Sequence, residues 1–296
     1  MDLENDMKKT KDLIIILVIY VIAYLSGYYS CLPFNNMVLR VFIFDSAATV
    51  VTFIFSTILH NSSVYDAYWS LTPFIIVLYL FTIYNAFAPF QVLFLIAFLI
   101  WAIRLTVNWI IVFTDFSYED WRYRKFRDES SVYLWPIINF FGIHYMPTLI
   151  VFLGMLPIFK IVTNPLGMYS LAGIVVIIVG ILLEFFADRQ MHSFLNAAHH
   201  NEVCDEGLWK YSRHPNYLGE ILVWLGVYMT ALPYFPKEGY LAIGFVSVAV
   251  MFNIVSIPLM EKKQRGKRAA YIHYCEQTSR LLLLPPKKNN IDSRYA

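Results

Sequence analysis

Between Gly207 and Glu220 the chain reads Gly-Leu-Trp-Lys-Tyr-Ser-Arg-His-Pro-Asn-Tyr-Leu-Gly-Glu, placing Lys210, Arg213, His214, Asn216, Glu220 and three aromatic rings close together. Pro215 fixes its own φ and pushes His214 out of helical geometry, so Arg213 and His214 are expected in an extended turn. Asn216 and Tyr217 then open a helix that stays apolar from Leu218 to Leu232. A helix start presents unpaired N–H groups and the positive end of the macrodipole. With Lys210 and Arg213 just upstream, the chemistry that suits this turn is an anion, either phosphate or carboxylate. Glu220 lies one turn after Asn216 and points to the same side, although an acid near a helix N-terminus is also favourable for local reasons alone.

Other polar residues stand inside apolar runs. Arg104 is buried in Trp101-Ala-Ile-Arg-Leu-Thr-Val-Asn-Trp109, with Asn108 one turn away on the same face. An intramembrane Arg costs at least ~2.5 kcal/mol, so it is expected either in a salt bridge to Asp45 or Glu184 or in a wet cavity that binds substrate with Asn108 and Trp69. Glu184 and Asp188 share a helical face at the end of a run, where a carboxylate opposes the dipole. Asp188 is therefore expected to hydrogen-bond a ribose or to position a basic residue.

Tyr65-Asp66-Ala67-Tyr68-Trp69 has the aromatics of a membrane interface, which leaves Asp66 unexplained. Asp66 or Tyr68 is the expected proton donor, and burial would keep such a carboxyl protonated. The segment from Tyr118 to Asp128 mixes acids, bases and aromatics and reads as a solvated interfacial helix; the alternative is a lid that brings cations to a phosphate. Met260-Glu261 caps the last apolar run, and Tyr271 and Tyr274 share one face of a basic stretch after it. His199 and His200 point in different directions, no HxxxH or CxxC occurs, and Cys31, Cys204 and Cys275 lie far apart. No metal and only free thiols are expected.

The elements that must position these groups are membrane helices. Hydrophobic residues make up 58% of the 296 residues and charged ones 15%, with a mean hydropathy of +0.55. Soluble domains run nearer half apolar and a quarter charged. The net charge of +2, with no pooled basic surface, excludes nucleic acid as the natural partner. Runs of ~20 apolar residues predict about eight spans, at 13–31, 37–59, 71–87, 90–113, 142–162, 167–187, 218–235 and 239–260. With the N-terminus cytoplasmic, the loops on that side hold 19 of the 23 Lys and Arg residues. That asymmetry places both termini and the polar turn on the cytoplasmic side. The fold class is an all-α, polytopic transmembrane bundle, one domain over 1–286, with a polar, disordered tail from 287 to 296.

The stretch from Gly207 to Glu220 resembles the signature of membrane steroid 5-alpha-reductases and sterol reductases. Asp188-Arg-Gln190 before it and Glu261, Tyr271 and Tyr274 after it resemble the rest of that pattern. The resemblance is specific over about 184–284; before that it rests on Asp66-Ala-Tyr-Trp69 and on Trp101, Arg104 and Asn108. It implies NADPH in a cytosol-facing cavity and a lipid-like substrate entering from the bilayer. It implies further that Asp188, Arg213, His214, Asn216 and Tyr217 line the dinucleotide pocket. Asn216 would hold the nicotinamide amide with Glu220 bracing it, and Tyr271 would contact the phosphate or ribose side, with Lys210, Glu261 and Tyr274 nearby. Tyr217 and Glu220 would also stand close to the reacting atoms. Recognition of the 2′-phosphate would fall to Arg189, Lys210, Arg213 or the C-terminal basic run. No Gly-rich dinucleotide fingerprint is present, so such a site is not of the Rossmann type.

Two other readings use the same residues. Membrane methyltransferases of the isoprenylcysteine carboxyl and phospholipid type also carry an Arg-His-Pro-x-Tyr-x-Gly turn followed by a glutamate that binds S-adenosylmethionine. Arg213, His214, Pro215, Tyr217, Gly219 and Glu261 satisfy that outline. A non-catalytic lipid-binding membrane protein is the third reading. The expected location is the endoplasmic reticulum for a eukaryotic chain and the inner membrane for a bacterial one.

Overall fold

Apolar runs of this length can satisfy their backbone inside a bilayer only as helices or a closed barrel. The computed structural model describes residues 2–197 and 202–287 and is helical, with no strand among the described residues. The long helices are α1 (Asp2–Cys31), α2 (Met37–Ile58), α3 (Tyr68–Ile83), α4 (Pro89–Val112), α6 (Trp135–Thr163), α7 (Leu171–Asn196), α8 (Pro215–Ala231) and α9 (Gly239–Lys267). Two short helices, α5 (Trp121–Glu129) and α10 (Ala270–Gln277), lie at the end of the bundle where α1 begins. His199 and His200 and residues 288–296 of the polar tail lie outside the described residues.

Seven helices among the described residues are long and apolar enough to cross a membrane, so this is a multi-pass membrane protein. The run expected at 218–235 is α8, which starts earlier, at Pro215, and ends at Ala231. Its 17 residues span about 25 Å, short of the ~30 Å hydrocarbon core. The run expected at 71–87 starts earlier too. A 3-10 turn at Ser62–Tyr65 feeds α3, and the chain turns at Asn85, whose φ of 50° ends that helix. Helix α4 begins on Pro89, with the Gln91 side chain accepting from the Ala88 N–H at 3.1 Å.

Two features of the packing position the site. An aromatic ladder of Phe81, Phe94, Phe98 and Trp101 runs along α3 and α4 and ends on Trp224 of α8, with neighbouring centroids 4.9–6.1 Å apart. Helices α7 and α8 form an antiparallel hairpin whose backbones touch through a seam of small residues. A Cβ on Gly219 would stand 2.4 Å from Glu184 Cγ, and one on Gly180 would stand 2.6 Å from the Gly219 carbonyl. No larger residue fits at either position, and the contact brings the acids of α7 beside the first turn of α8.

Candidate functional site

That seam joins two parts of the sequence into one polar cluster. Arg104 of α4 donates from Nη2 to Glu184 and from Nη1 to Asp188 Oδ2 at 2.9 Å. Asn108 Nδ2 approaches the same Asp188 oxygen at 3.4 Å. Of the two partners expected for Arg104, Glu184 is the one it meets, while Asp45 accepts from Tyr68 instead. Glu220 is 4% exposed and has three indole donors: Trp101 at 2.9 Å, Trp224 at 3.0 Å and Trp69 at 3.3 Å. The ladder thus ends by fixing a carboxylate with neutral N–H groups.

Arg104, Asn108, Glu184, Asp188, Glu220 and Trp69 line an inner chamber of about 430 Å³, together with Asp66, Asp120, Arg122, Tyr123, Asn216 and Tyr217. Its far wall is formed by two stretches of π-helical backbone, Ile138–Tyr145 in α6 and Phe252–Ser256 in α9, which contribute Gly142, Ile143, Phe252 and Val255. Such wide turns occur mostly at functional sites. Helix α5 closes the chamber at the end where α1 begins. Asp120 caps it, accepting from the Arg122 N–H at 2.8 Å and from Arg122 Nε at 2.9 Å. Burial opposes charge on Asp120, but the Arg122 guanidinium prevails and holds its carboxyl below the usual range. Tyr123 donates to Asp66 Oδ1 at 2.7 Å. Burial, reinforced by the neighbouring Asp66 charge, pushes the Tyr123 phenol well above its ordinary value, so it remains a proton carrier at neutral pH. Trp109 also belongs to this lining, with its Nε1 buried and without a hydrogen-bond partner.

An outer chamber of about 340 Å³ adjoins it. Asn216 and Tyr217 line both spaces. The Tyr217 ring lies parallel between His214 and Phe252, with centroids at 5.4 and 4.6 Å, and forms a partition. The outer wall holds Lys263, Gln264, Arg268, Tyr271 and Tyr274. Lys263 sits 3.8 Å over the ring of Trp121, which ties α5 to α9 across the opening. Burial raises both Tyr271 and Tyr274, keeping the phenols protonated, and Tyr274 donates to the Trp209 carbonyl at 2.5 Å. Burial lowers His214, and its Nε2 stands 3.5 Å from Glu261 Oε1, too long for a good hydrogen bond.

His214 leaves helical geometry before Pro215, as expected, although its φ of −141° and ψ of 59° are not fully extended, and Arg213 N donates to the Ser279 carbonyl. Other expected residues lie elsewhere. Arg213 is 9% exposed, and its guanidinium is spent on Glu261 Oε1 at 2.9 Å and on the carbonyls of Cys275 and Thr278 at 2.6 and 2.7 Å. It therefore anchors the C-terminal segment while bordering the outer chamber. Glu261 is its counter-ion and is absent from both linings. Lys210 is exposed and lines neither space. Tyr68 sits behind the inner wall, donating to Asp45 Oδ1 at 2.9 Å. Tyr123, Arg122 and Lys263 are the site residues that the sequence did not single out. The only signal for the first two was the lid reading of their segment, which the chamber lining favours over a solvated helix.

Fold and site together define a multi-pass helical membrane protein with a two-part polar cavity at one end of the bundle. The chain belongs to the DUF1295 family, described as a protein of unknown function, whose pattern matches residues 52–278 and so covers both chambers. It is also similar to an uncharacterized protein of Schizosaccharomyces pombe, with 26% identity over 232 residues, covering 68% of this chain and 65% of that protein, short of two thirds of the relative's length. No solved structure matches the chain.

Proposed function

We propose that the protein is an NADPH-dependent reductase of an activated carbon–carbon double bond in a lipid-like substrate. The observation that carries this reading is the junction of two unlike chambers at Asn216 and Tyr217. A two-substrate reaction between an elongated, charged cosubstrate and a lipid needs that arrangement. The cosubstrate lies in the space that opens beside the basic C-terminal helices, and its reactive end passes the partition. The resemblance of the Gly207–Glu220 stretch to sterol reductases supports the same assignment.

The residues present suit a dinucleotide. Lys263 and Arg268 bring positive charge to the outer chamber, and Tyr271 and Tyr274 offer aromatic faces beside it. Asn216 stands at the passage, with Glu220 braced a turn behind it by three indoles. NADPH, when bound, supplies the hydride. The chain supplies the proton: Tyr123 carries it on its hydroxyl, and Asp66, which accepts that hydroxyl's hydrogen bond at 2.7 Å, orients it. Arg104 neutralises Glu184 and Asp188 and keeps those carboxylates from repelling one another beneath the substrate. The exposed apolar side chains of Phe141, Ile254 and Val255 flank the π-helical wall and give a lipid its route in from the bilayer. The positive-inside pattern of the sequence supports an outer chamber that faces the cytosol.

Trp69 and Trp109 line the inner chamber, so binding can be read from intrinsic fluorescence. Titrating the purified protein with NADPH should quench that emission and sensitise nicotinamide fluorescence by energy transfer, and Asn216→Ala should weaken both. Transfer equal in the wild type and in Asn216→Ala would remove the junction from the reading.

A further inference from the structure

A third cavity lies at the other end of the bundle, between the last turns of α1, the second turn of α2 and the second half of α3. It measures about 330 Å³ and is walled by apolar and aromatic side chains, among them Val21, Leu25, Phe44 and Ile76. It opens sideways toward the bilayer, because Val21, Leu25 and Tyr28 on its rim are about half exposed. One charged residue, Arg40, lines it. Arg40 Nε is buried without a hydrogen-bond partner, and no carboxylate among the described residues lies within ion-pair distance of the guanidinium. Arg104, in the middle of α4, by contrast has two acids.

We propose that this groove is a binding site for one anionic phospholipid, with its phosphate on Arg40 and an acyl chain along the apolar floor. Three considerations converge on that occupant. A guanidinium at the end of a membrane helix requires a counter-charge, and the protein provides none at this position. The fork of N–H donors on Arg matches a phosphate geometrically, and the first turns of α2 add the positive end of a helix dipole on the same side. The rest of the cavity offers no hydrogen-bonding surface of a kind that a soluble metabolite would need, but it continues into lipid, where an acyl chain already is. Arg40 stands at the N-terminal end of α2, near the headgroup level, so the lipid need not leave its leaflet to engage it. The proposal is independent of the reductase reading, since the groove shares no lining residue with either chamber.

The test is native mass spectrometry of the full-length protein from nanodiscs containing equal phosphatidylglycerol and phosphatidylcholine. One phosphatidylglycerol should be retained over phosphatidylcholine by about tenfold, the equivalent of one charged hydrogen bond. Arg40→Gln should reduce that preference to within about twofold, and Arg40→Lys should keep part of it. Ile76→Trp, which fills the floor with Arg40 intact, should abolish the bound lipid and so separates the site from the general charge of the protein. Thermal melting of each variant in the same nanodiscs reports folding, and each should melt within a few degrees of the wild type. Equal retention of the two lipids would overturn the proposal. So would an undiminished preference in Arg40→Gln, or a dimer whose formation excludes lipid from the groove.

Discussion

Two polar clusters lie side by side in this apolar bundle, and they differ in whether they open onto a cavity. The cluster around Arg104 is charged, joins α4, α7 and α8, and faces free space. Behind it, Asp45, Thr49, Tyr65, Tyr68 and Thr148 form a hydrogen-bonded chain that closes on itself: Tyr65 to Thr148 at 2.7 Å, Thr148 to Thr49 at 2.8 Å and Tyr68 to Asp45 at 2.9 Å. Ser56 and His144 extend the layer, 2.9 Å apart. Tyr65 is the one residue of this chain that also lines the inner chamber. Both clusters carry the desolvation cost of polar atoms in hydrocarbon, so that cost alone does not mark function. What separates them is geometry. The closed chain saturates its own donors and glues α2, α3 and α6 together, whereas the open cluster and the Tyr123–Asp66 pair beside it border a cavity.

The difference can be broken by removing one member of each cluster. Arg104→Leu leaves Glu184 and Asp188 as uncompensated buried charges and should cost about 3–5 kcal/mol together with all NADPH binding. Thr148→Val, which strands two hydroxyls, should cost about 1–3 kcal/mol and leave NADPH affinity unchanged. Melting curves and fluorescence titrations on the same two variants make the contrast; equal loss of cofactor binding in both would merge the clusters. Tyr123→Phe keeps the lid but deletes the proposed proton source. It should lower kcat by about a hundredfold or more without changing the KM for NADPH. Because burial raises the Tyr123 phenol above its ordinary value, the protonated donor persists up to pH 10 and beyond, so kcat should show no alkaline limb between pH 7 and 9. An activity loss with a midpoint in that window would assign the proton to another group.

Smaller effects sharpen the division between the chambers. Asn216→Ala should reduce turnover by about a hundredfold through misplacement at the junction, with little change in thermal stability. Lys263→Ala should raise the KM for NADPH by about tenfold, and more at low salt, while leaving kcat intact. An altered kcat with unchanged KM would move Lys263 out of the cosubstrate space.

Much of this was legible from residues that an apolar run ought not to contain. Arg104, Glu184, Asp188 and Glu220 each announce themselves, because a bilayer makes charge conspicuous, and the Arg104–Glu184 pair was one of two expected. Which side of a helix faces a cavity was less legible. Tyr68 and Asp66 are two residues apart, and only the 3-10 turn that feeds α3 sends one behind the wall and the other to its surface. Arg213 looked like an anion ligand beside a helix N-terminus, but it holds Glu261 and the carbonyls of Cys275 and Thr278, all far along the sequence, which no local pattern predicts. The helix counted as the seventh span is short because its small-residue seam, rather than its length, is what holds it against α7.

Thermal melting of the detergent-solubilised full-length protein with NADPH and, separately, with S-adenosylmethionine decides whether the paired chambers hold a dinucleotide. Saturation at a hundred times Kd stabilises a protein by about 2.7 kcal/mol. NADPH should give a shift of that order in the wild type and a smaller one in Asn216→Ala and Lys263→Ala, and S-adenosylmethionine should give none. Stabilisation by S-adenosylmethionine alone, abolished by the same two substitutions, would make the chambers a methyl-donor site and the reductase assignment wrong.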